Sequence, residues 1–322
     1  MTINTKEINN QGVLHFLNND FEKAKNSYFE ILSVDSENTT TLNNLGFLYL
    51  QEGKFNEAET AFLKAYQQTR NKTYALNLGH SLAHQGRYEE AENYYKISLD
   101  KDNIMGWKSL VALYEFTNQT DKAIETLSTI VIQVSVEVSF KIQLAKNYIR
   151  KELFQEALDV LQLAGLQEDS QHEVWYYIAY IHFKKQNFDV ARTAIKTSIE
   201  YHNSWENSLQ LAGAISIIYN DMETALKYWD ELLQNNPANY AVRVDKAVVL
   251  LGNQKEHEAS LELLSVLESD PENLKAVYYL GNIYISKKET KQKGIELLSR
   301  LIQTNNSFSK KAIEIINQNT SR

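Results

Sequence analysis

His80 and His84, four residues apart, are the pair in this chain best spaced to share a divalent cation, because side chains at i and i+4 stand above one another on a helix. Their neighbours offer only amides and hydroxyls. The ligand shell is therefore incomplete, and the pair reads as polar helix surface. The chain has 322 residues and no cysteine, which excludes disulfides, thiolate metal sites, thiol nucleophiles and lipid-modified cysteines. It also lacks a Gly-rich phosphate loop, a His-Glu-x-x-His pair, a nucleophile elbow and the acid spacing of a calcium loop. Glu89 and Glu90 are adjacent, so on a helix they do not face each other, and His172-Glu173 and His257-Glu258 read as turn or surface residues. The expectation is a chain that is not an enzyme and has no catalytic residues, metal or cofactor.

Residues suited to binding are more plentiful. Asn10, Asn44 and Asn77, followed by Ser109 and Gln143, recur at intervals of 34, 33, 32 and 34. Side-chain amides donate and accept together, so a row of them can pair with an extended peptide backbone of any sequence. Lys146 and Arg150 are four apart, and Tyr176, Tyr180 and Lys184 form a similar stripe, with Lys108 further upstream. Tyrosines give broad contact area and cations suit carboxylates, so this group fits an acidic peptide. Such clustering stands out on a chain of net charge −8 and pI near 5.5, whose average surface repels phosphate backbones and anionic lipids; no nucleic-acid partner is expected. Further on, Ala214, Ile217, Ile218, Val244, Val248 and Leu251 are apolar; a hydrophobic ligand, self-association or burial would account for them.

The elements that must position these residues follow from a second periodicity. Ala24, Ala58, Ala91, Ala123, Ala157, Ala191, Ala225 and Ala259 are 34, 33, 32, 34, 34, 34 and 34 apart. A fixed period in this range marks a solenoid, whose helical hairpins hide their apolar faces by stacking. In the second unit Leu42, Leu45, Gly46 and Tyr49 share one helical face, Gly53 ends that helix, and Ala58, Phe62 and Ala65 line the next. With two prolines, eleven glycines and no linker-like stretch, one continuous array is expected. Neither a signal-like amino terminus nor a membrane-length apolar run is visible, so the predicted location is cytoplasmic, without membrane insertion.

Leu45-Gly46, Tyr49, Ala58, Phe62 and Ala65 resemble the signature of the tetratricopeptide repeat, and Leu78-Gly79, Tyr88, Ala91 and Tyr95 resemble it again in the third unit. The resemblance implies an all-α, right-handed α-solenoid superhelix of about nine hairpins. Their limits fall near 5–38, 39–71, 72–103, 104–137, 138–171, 172–205, 206–239, 240–273 and 274–306, with a capping helix near 307–317 that Ser307 would cap. The ninth unit places its small residue one position late, at Gly294, after a polar run from Lys287, which predicts a longer turn there.

In proteins similar to this family, first helices line a concave groove, and the positions beside Leu-Gly point into it. That implies Asn10, Asn44, Asn77, Lys146, Arg150, Tyr176, Tyr180 and Lys184 as peptide-binding residues. The amides are similar to the asparagine ladder of protein O-linked N-acetylglucosamine transferases, although asparagine is also common here in the repeat. The cations of a carboxylate clamp do not assemble beside the first three repeats. Pentatricopeptide arrays, which bind RNA, use a basic groove and a longer repeat. The leading expectation is a non-catalytic scaffold holding a protein or peptide segment in its groove. The alternative is an accessory or regulatory subunit of an enzyme or secretion or assembly complex with catalysis on another chain, and self-association stays open.

Overall fold

A computed structural model describes residues 4–101, 104–134, 137–164 and 171–320. The start of the amino-terminal reading and the hairpin limit expected near 103 lie outside these residues. The chain divides into two compact units, Met1–Leu166 and Gln167–Arg322. Every described element is helical, with no strand among the described residues, which makes this an all-α repeat protein.

The first unit holds five helical pairs: α1 Thr5–Leu17 with α2 Phe21–Val34, α3 Thr39–Gln51 with α4 Phe55–Thr69, α5 Lys72–His84 with α6 Tyr88–Ser98, α7 Ile104–Phe116 with α8 Thr120–Thr129, and α9 Val138–Arg150 with α10 Phe154–Ala164. A π-helical turn, Ile130–Val134, extends α8. The second unit holds α11 Gln171–Lys184 with α12 Phe188–Tyr201, α13 Glu206–Ile218 with α14 Met222–Asn235, α15 Tyr240–Gly252 with α16 Glu256–Ser269, α17 Leu274–Ile285 with α18 Lys291–Gln303, and a final α19 Ser309–Thr320.

One turn chemistry builds eight of the nine hairpins among the described residues. Asn19, Gly53, Gly86, Asn118, Glu152, Gln186, Asn220 and Gln254 have φ between 55° and 74°, and each lies five residues before a ladder alanine. The next residue sends its N–H back five positions along the chain, as in Lys54 to the Tyr49 carbonyl at 2.8 Å and Asp221 to the Ser216 carbonyl at 2.9 Å. This is the Schellman ending of a helix, and it aims the chain straight into the second helix. Only two of the eight positions use glycine. The ninth turn is longer, as the polar run implies: Thr290 Oγ1 donates to the Tyr284 carbonyl at 2.9 Å and α18 begins only at Lys291.

Each hairpin is closed by a small residue on its first helix and a large one on its second. A Cβ on Gly12 would meet Tyr28 at 2.6 Å, on Gly46 Phe62 at 2.5 Å and on Gly79 Tyr95 at 2.6 Å, and on Gly213 it would strike the Trp229 indole. Where the second helix offers an aliphatic side chain instead, as at Leu127, Leu161, Ile195 and Leu263, the first-helix residue grows to Val111, Ala145, Ala179 and Ala247. Volume is traded across the pair in these eight hairpins, as close packing requires, whereas the ninth sets Gly281 against the aliphatic Leu298. The ladder alanines themselves are fully buried.

Asn4, Asn38, Asn71, Asn239 and Asn273 cap the first helices of their hairpins with their side chains. At the carboxyl end the expectation for Ser307 is corrected. α19 starts at Ser309, whose hydroxyl donates to the Leu301 carbonyl at 2.6 Å, while the Asn306 side chain accepts the Phe308 N–H at 2.8 Å. Asn306 reaches these groups because the chain turns back over α18 before the helix begins. Ala312 then packs with Leu298, Leu301 and Val277.

Candidate functional site

In the first unit the amides do not form a free row. Asn44 Nδ2 donates to Asn9 Oδ1 at 3.0 Å, and Asn77 Nδ2 donates to Asn43 Oδ1 at 2.7 Å, so each reaches back to the preceding first helix. The same step is taken by Ser109 with His80 Nε2 at 2.9 Å and by Gln143 with Glu115 at 2.9 Å. Asn147, buried like Asn77, donates to the other Glu115 oxygen at 2.7 Å. These polar pairs tie neighbouring hairpins together. Asn77 is only 4% exposed with its amide engaged, whereas Asn10 is exposed and makes none of these pairs. The cause is azimuth: on tightly stacked helices the position before leucine faces the neighbouring hairpin before it faces solvent.

An open feature of this unit is a cleft of about 340 Å³ between α5 and α7, lined by His80, Ala83, His84, Tyr88, Tyr95, Ser109, Ala112, Leu113 and Phe116. Small side chains at Ala83, Ser109 and Ala112 leave the space, and aromatic ones rim it. Phe116 is 70% exposed and meets Tyr88 edge-on at 5.6 Å, while His84 stacks on Phe55 at 5.0 Å. Burial, with His84 adding repulsion, lowers the pKa of His80, which favours a neutral imidazole. Such a slot suits an apolar or aromatic side chain. Phe116 and Tyr88 were not selected from the sequence, although the run of small residues facing an aromatic could have flagged them. Among the described residues no three His, Asp or Glu side chains gather to hold a metal ion.

Lys146 and Arg150 are both exposed on α9 in the first unit. Arg150 leans toward Glu115 at 4.0 Å and Asn147 at 3.4 Å, and Lys108 lies over the Phe140 ring at 5.4 Å. Tyr176, Tyr180 and Lys184 belong to the second unit, so the expected middle patch is divided between the two. There Lys184 sits over the Tyr180 ring at 5.4 Å, and Tyr176 packs on Trp205 at 4.9 Å. Burial raises the Tyr176 hydroxyl to a pKa of about 12, which keeps it a neutral hydrogen-bonding group. His172 and His202 extend this cluster, with ring centroids 5.0 Å apart. Of the later apolar residues, Val244 is core, at 2% exposure, so burial accounts for it, while Ile218 and Val248 are exposed at 44% and 36%.

The hairpins and their lined first-helix faces define the class, a tetratricopeptide-repeat protein, and the model described as tetratricopeptide repeat matches residues 43–103. The model described as coatomer epsilon subunit matches residues 107–321, two-thirds of the chain, and the chain belongs to that family. Among curated proteins it is similar to the BBSome complex member BBS4 of Bos taurus, 21% identical over 288 residues that cover 84% of this chain and 55% of that protein. DnaJ homolog subfamily C member 3 of Gallus gallus is 21% identical over 316 residues, covering 85% and 63%. The chain thus spans less than two-thirds of either relative. In fold it is similar to the human IFIT1 dimer with m7Gppp-AAAA, with a TM-score of 0.53 at 15% identity over 99% of this chain and 82% of that one. The Cut9 and Hcn1 hetero-tetramer gives 0.53 at 14%, over 85% and 54%.

Proposed function

We propose that this chain is a non-catalytic scaffold that holds an extended protein segment along its first-helix faces, as one continuous array acting in the cytoplasm. The observation that carries the reading is the aromatic-rimmed cleft between α5 and α7, where Phe116 stays 70% exposed at no evident structural need. An exposed aromatic beside a cavity supplies contact area at low entropic cost, as binding hot spots do. Lys146 and Arg150, beyond the cleft on α9, suit acidic residues of the same segment, and Asn10 and Asn44 keep acceptor or donor capacity for its backbone. Tyr176, Tyr180 and Lys184 offer a comparable surface on the second unit. No helix among the described residues is long and apolar enough to cross a membrane.

A photo-crosslinking residue placed at Ala112, inside the cleft, should capture a defined partner in cells, while one at Glu89, on a second helix, should not. Equal capture from both positions would remove the cleft from consideration.

A second reading has a specific support. Coatomer epsilon is described as a subunit and BBS4 as a complex member, which favours an accessory subunit within a larger assembly. Stoichiometric co-purification with fixed partners would favour it over a scaffold for transient peptides.

A further inference from the structure

The outward face of α15 carries Ala241, Asp245 and Val248 at i, i+4 and i+7, so one carboxylate sits between a small and an aliphatic side chain. Gly252 continues this face over open space. Next to it α17, which packs on α15, supplies half-buried Tyr278 and Tyr279 and exposed Lys275. Among the described residues the Asp245 carboxylate has neither a hydrogen-bond nor an ion-pair partner. Its pKa is raised, chiefly because burial strips water from the carboxylate, and Lys275 offsets this only in part from beyond ion-pair distance.

The helix does not lack cations that could have neutralised it. Lys246, the next residue, is held by Asp230 and Glu262 at 2.6 Å each, and Arg243 is held by Glu262 at 2.6 Å. Both are committed to the side that faces α14 and α16. A partly desolvated, unpaired carboxylate on an apolar surface is costly in the free protein, and the cost is recovered when an opposite charge arrives. Water still reaches its oxygens, since neither is among the enclosed unpartnered atoms. A cation can therefore enter from outside.

We propose that Asp245 is the specificity point of a docking face on the second unit for a partner segment that presents a lysine or arginine flanked by aliphatic side chains. The aliphatic neighbours of that cation lie on Val248, which is exposed, and a guanidinium or ammonium meets the carboxylate. This rests on the scaffold reading and adds the chemistry of what is held.

The test selects short random peptides, displayed on phage, against the full chain and against Asp245→Asn in parallel. Expected is enrichment of lysine or arginine next to aliphatic residues on wild type, and loss of that preference on the variant. A selected peptide should then weaken about tenfold when its cation is replaced by norleucine, with no such loss on Asp245→Asn. Thermal unfolding separates docking from support of the fold: the variant should be as stable as wild type or more so. Peptides that bind without a cation preference, or with the same preference on both proteins, overturn the inference and leave the scaffold reading standing. A destabilised variant would make Asp245 a structural residue and likewise overturn it. If neither protein enriches any peptide, the scaffold reading itself fails.

Discussion

Replacing Gly46 by alanine sets two effects against each other, and the structure decides between them. Alanine is better than glycine in a helix interior by about 1 kcal/mol. Its Cβ, however, would lie 2.5 to 2.7 Å from three ring atoms of Phe62, about 1 Å inside ordinary carbon contact. Phe62 is fully buried and is met edge-on by Phe47 at 5.5 Å, so its ring has nowhere to swing. Overpacking costs about 1 to 3 kcal/mol, and three contacts this short on a fixed ring put this site at about 2 to 3, so the net expectation is a loss of about 1 to 2 kcal/mol. Phe62→Leu alone leaves a void and should cost about 1 kcal/mol. Together the two changes rebuild the Ala247 and Leu263 pair of the eighth hairpin, whose residues share one core cluster. The double variant should therefore lie within about 1 kcal/mol of wild type, a coupling of about 1 to 2 kcal/mol. Urea unfolding of the four proteins measures it, with unchanged slopes confirming that the same cooperative unit is melting. Strict additivity, or a Gly46→Ala variant as stable as wild type, would refute the volume-pairing account of the hairpins.

Other expectations follow from the same geometry. Gln254 holds a left-handed backbone at φ 60°, so Gln254→Gly should stabilise by about 0.5 to 1 kcal/mol in thermal melts, whereas Gly86→Ala, with open space but φ 74°, should destabilise by about 1 kcal/mol. His80 has a lowered pKa in the fold, so its contribution is complete above the ordinary imidazole value of 6.5 and is lost as pH falls below it, because the unfolded chain takes up the proton first. His80→Gln should shrink the drop in stability between neutral pH and about pH 5.5, and an unchanged drop would count against this burial. Phe116→Ser should leave stability within about 0.5 kcal/mol yet reduce partner crosslinking from Ala112, a split between folding and binding that a packing residue would not show.

How much was legible in advance varies with how local the cause is. The longer ninth turn could be read because a single insertion displaces Gly294 from the alanine ladder, and Gly294 then meets the backbone at Ile285. The helix endings at Gly53 and Gly86 could be read as well. Those at Glu152, Gln186 and Gln254 could not, since nothing in these residue types signals a left-handed conformation; the Schellman bond made by the following residue imposes it.

From the sequence alone came the period, the helical hairpins, the buried alanines and the likeness to tetratricopeptide repeats, all of which depend on contacts made within one repeat and copied to the next. Which polar side chains remain available was decided only by tertiary structure. Asn44 and Asn77 bond across hairpins, Val244 turns into the core, Phe116 stays outside it, and Asp245 is left unpaired while Lys246 and Arg243 are taken by Glu262. A repeat fixes the distance between equivalent residues along the chain. The direction each side chain faces, and which neighbour claims it first, depends on how adjacent hairpins stack, and that varies with the volumes paired in each.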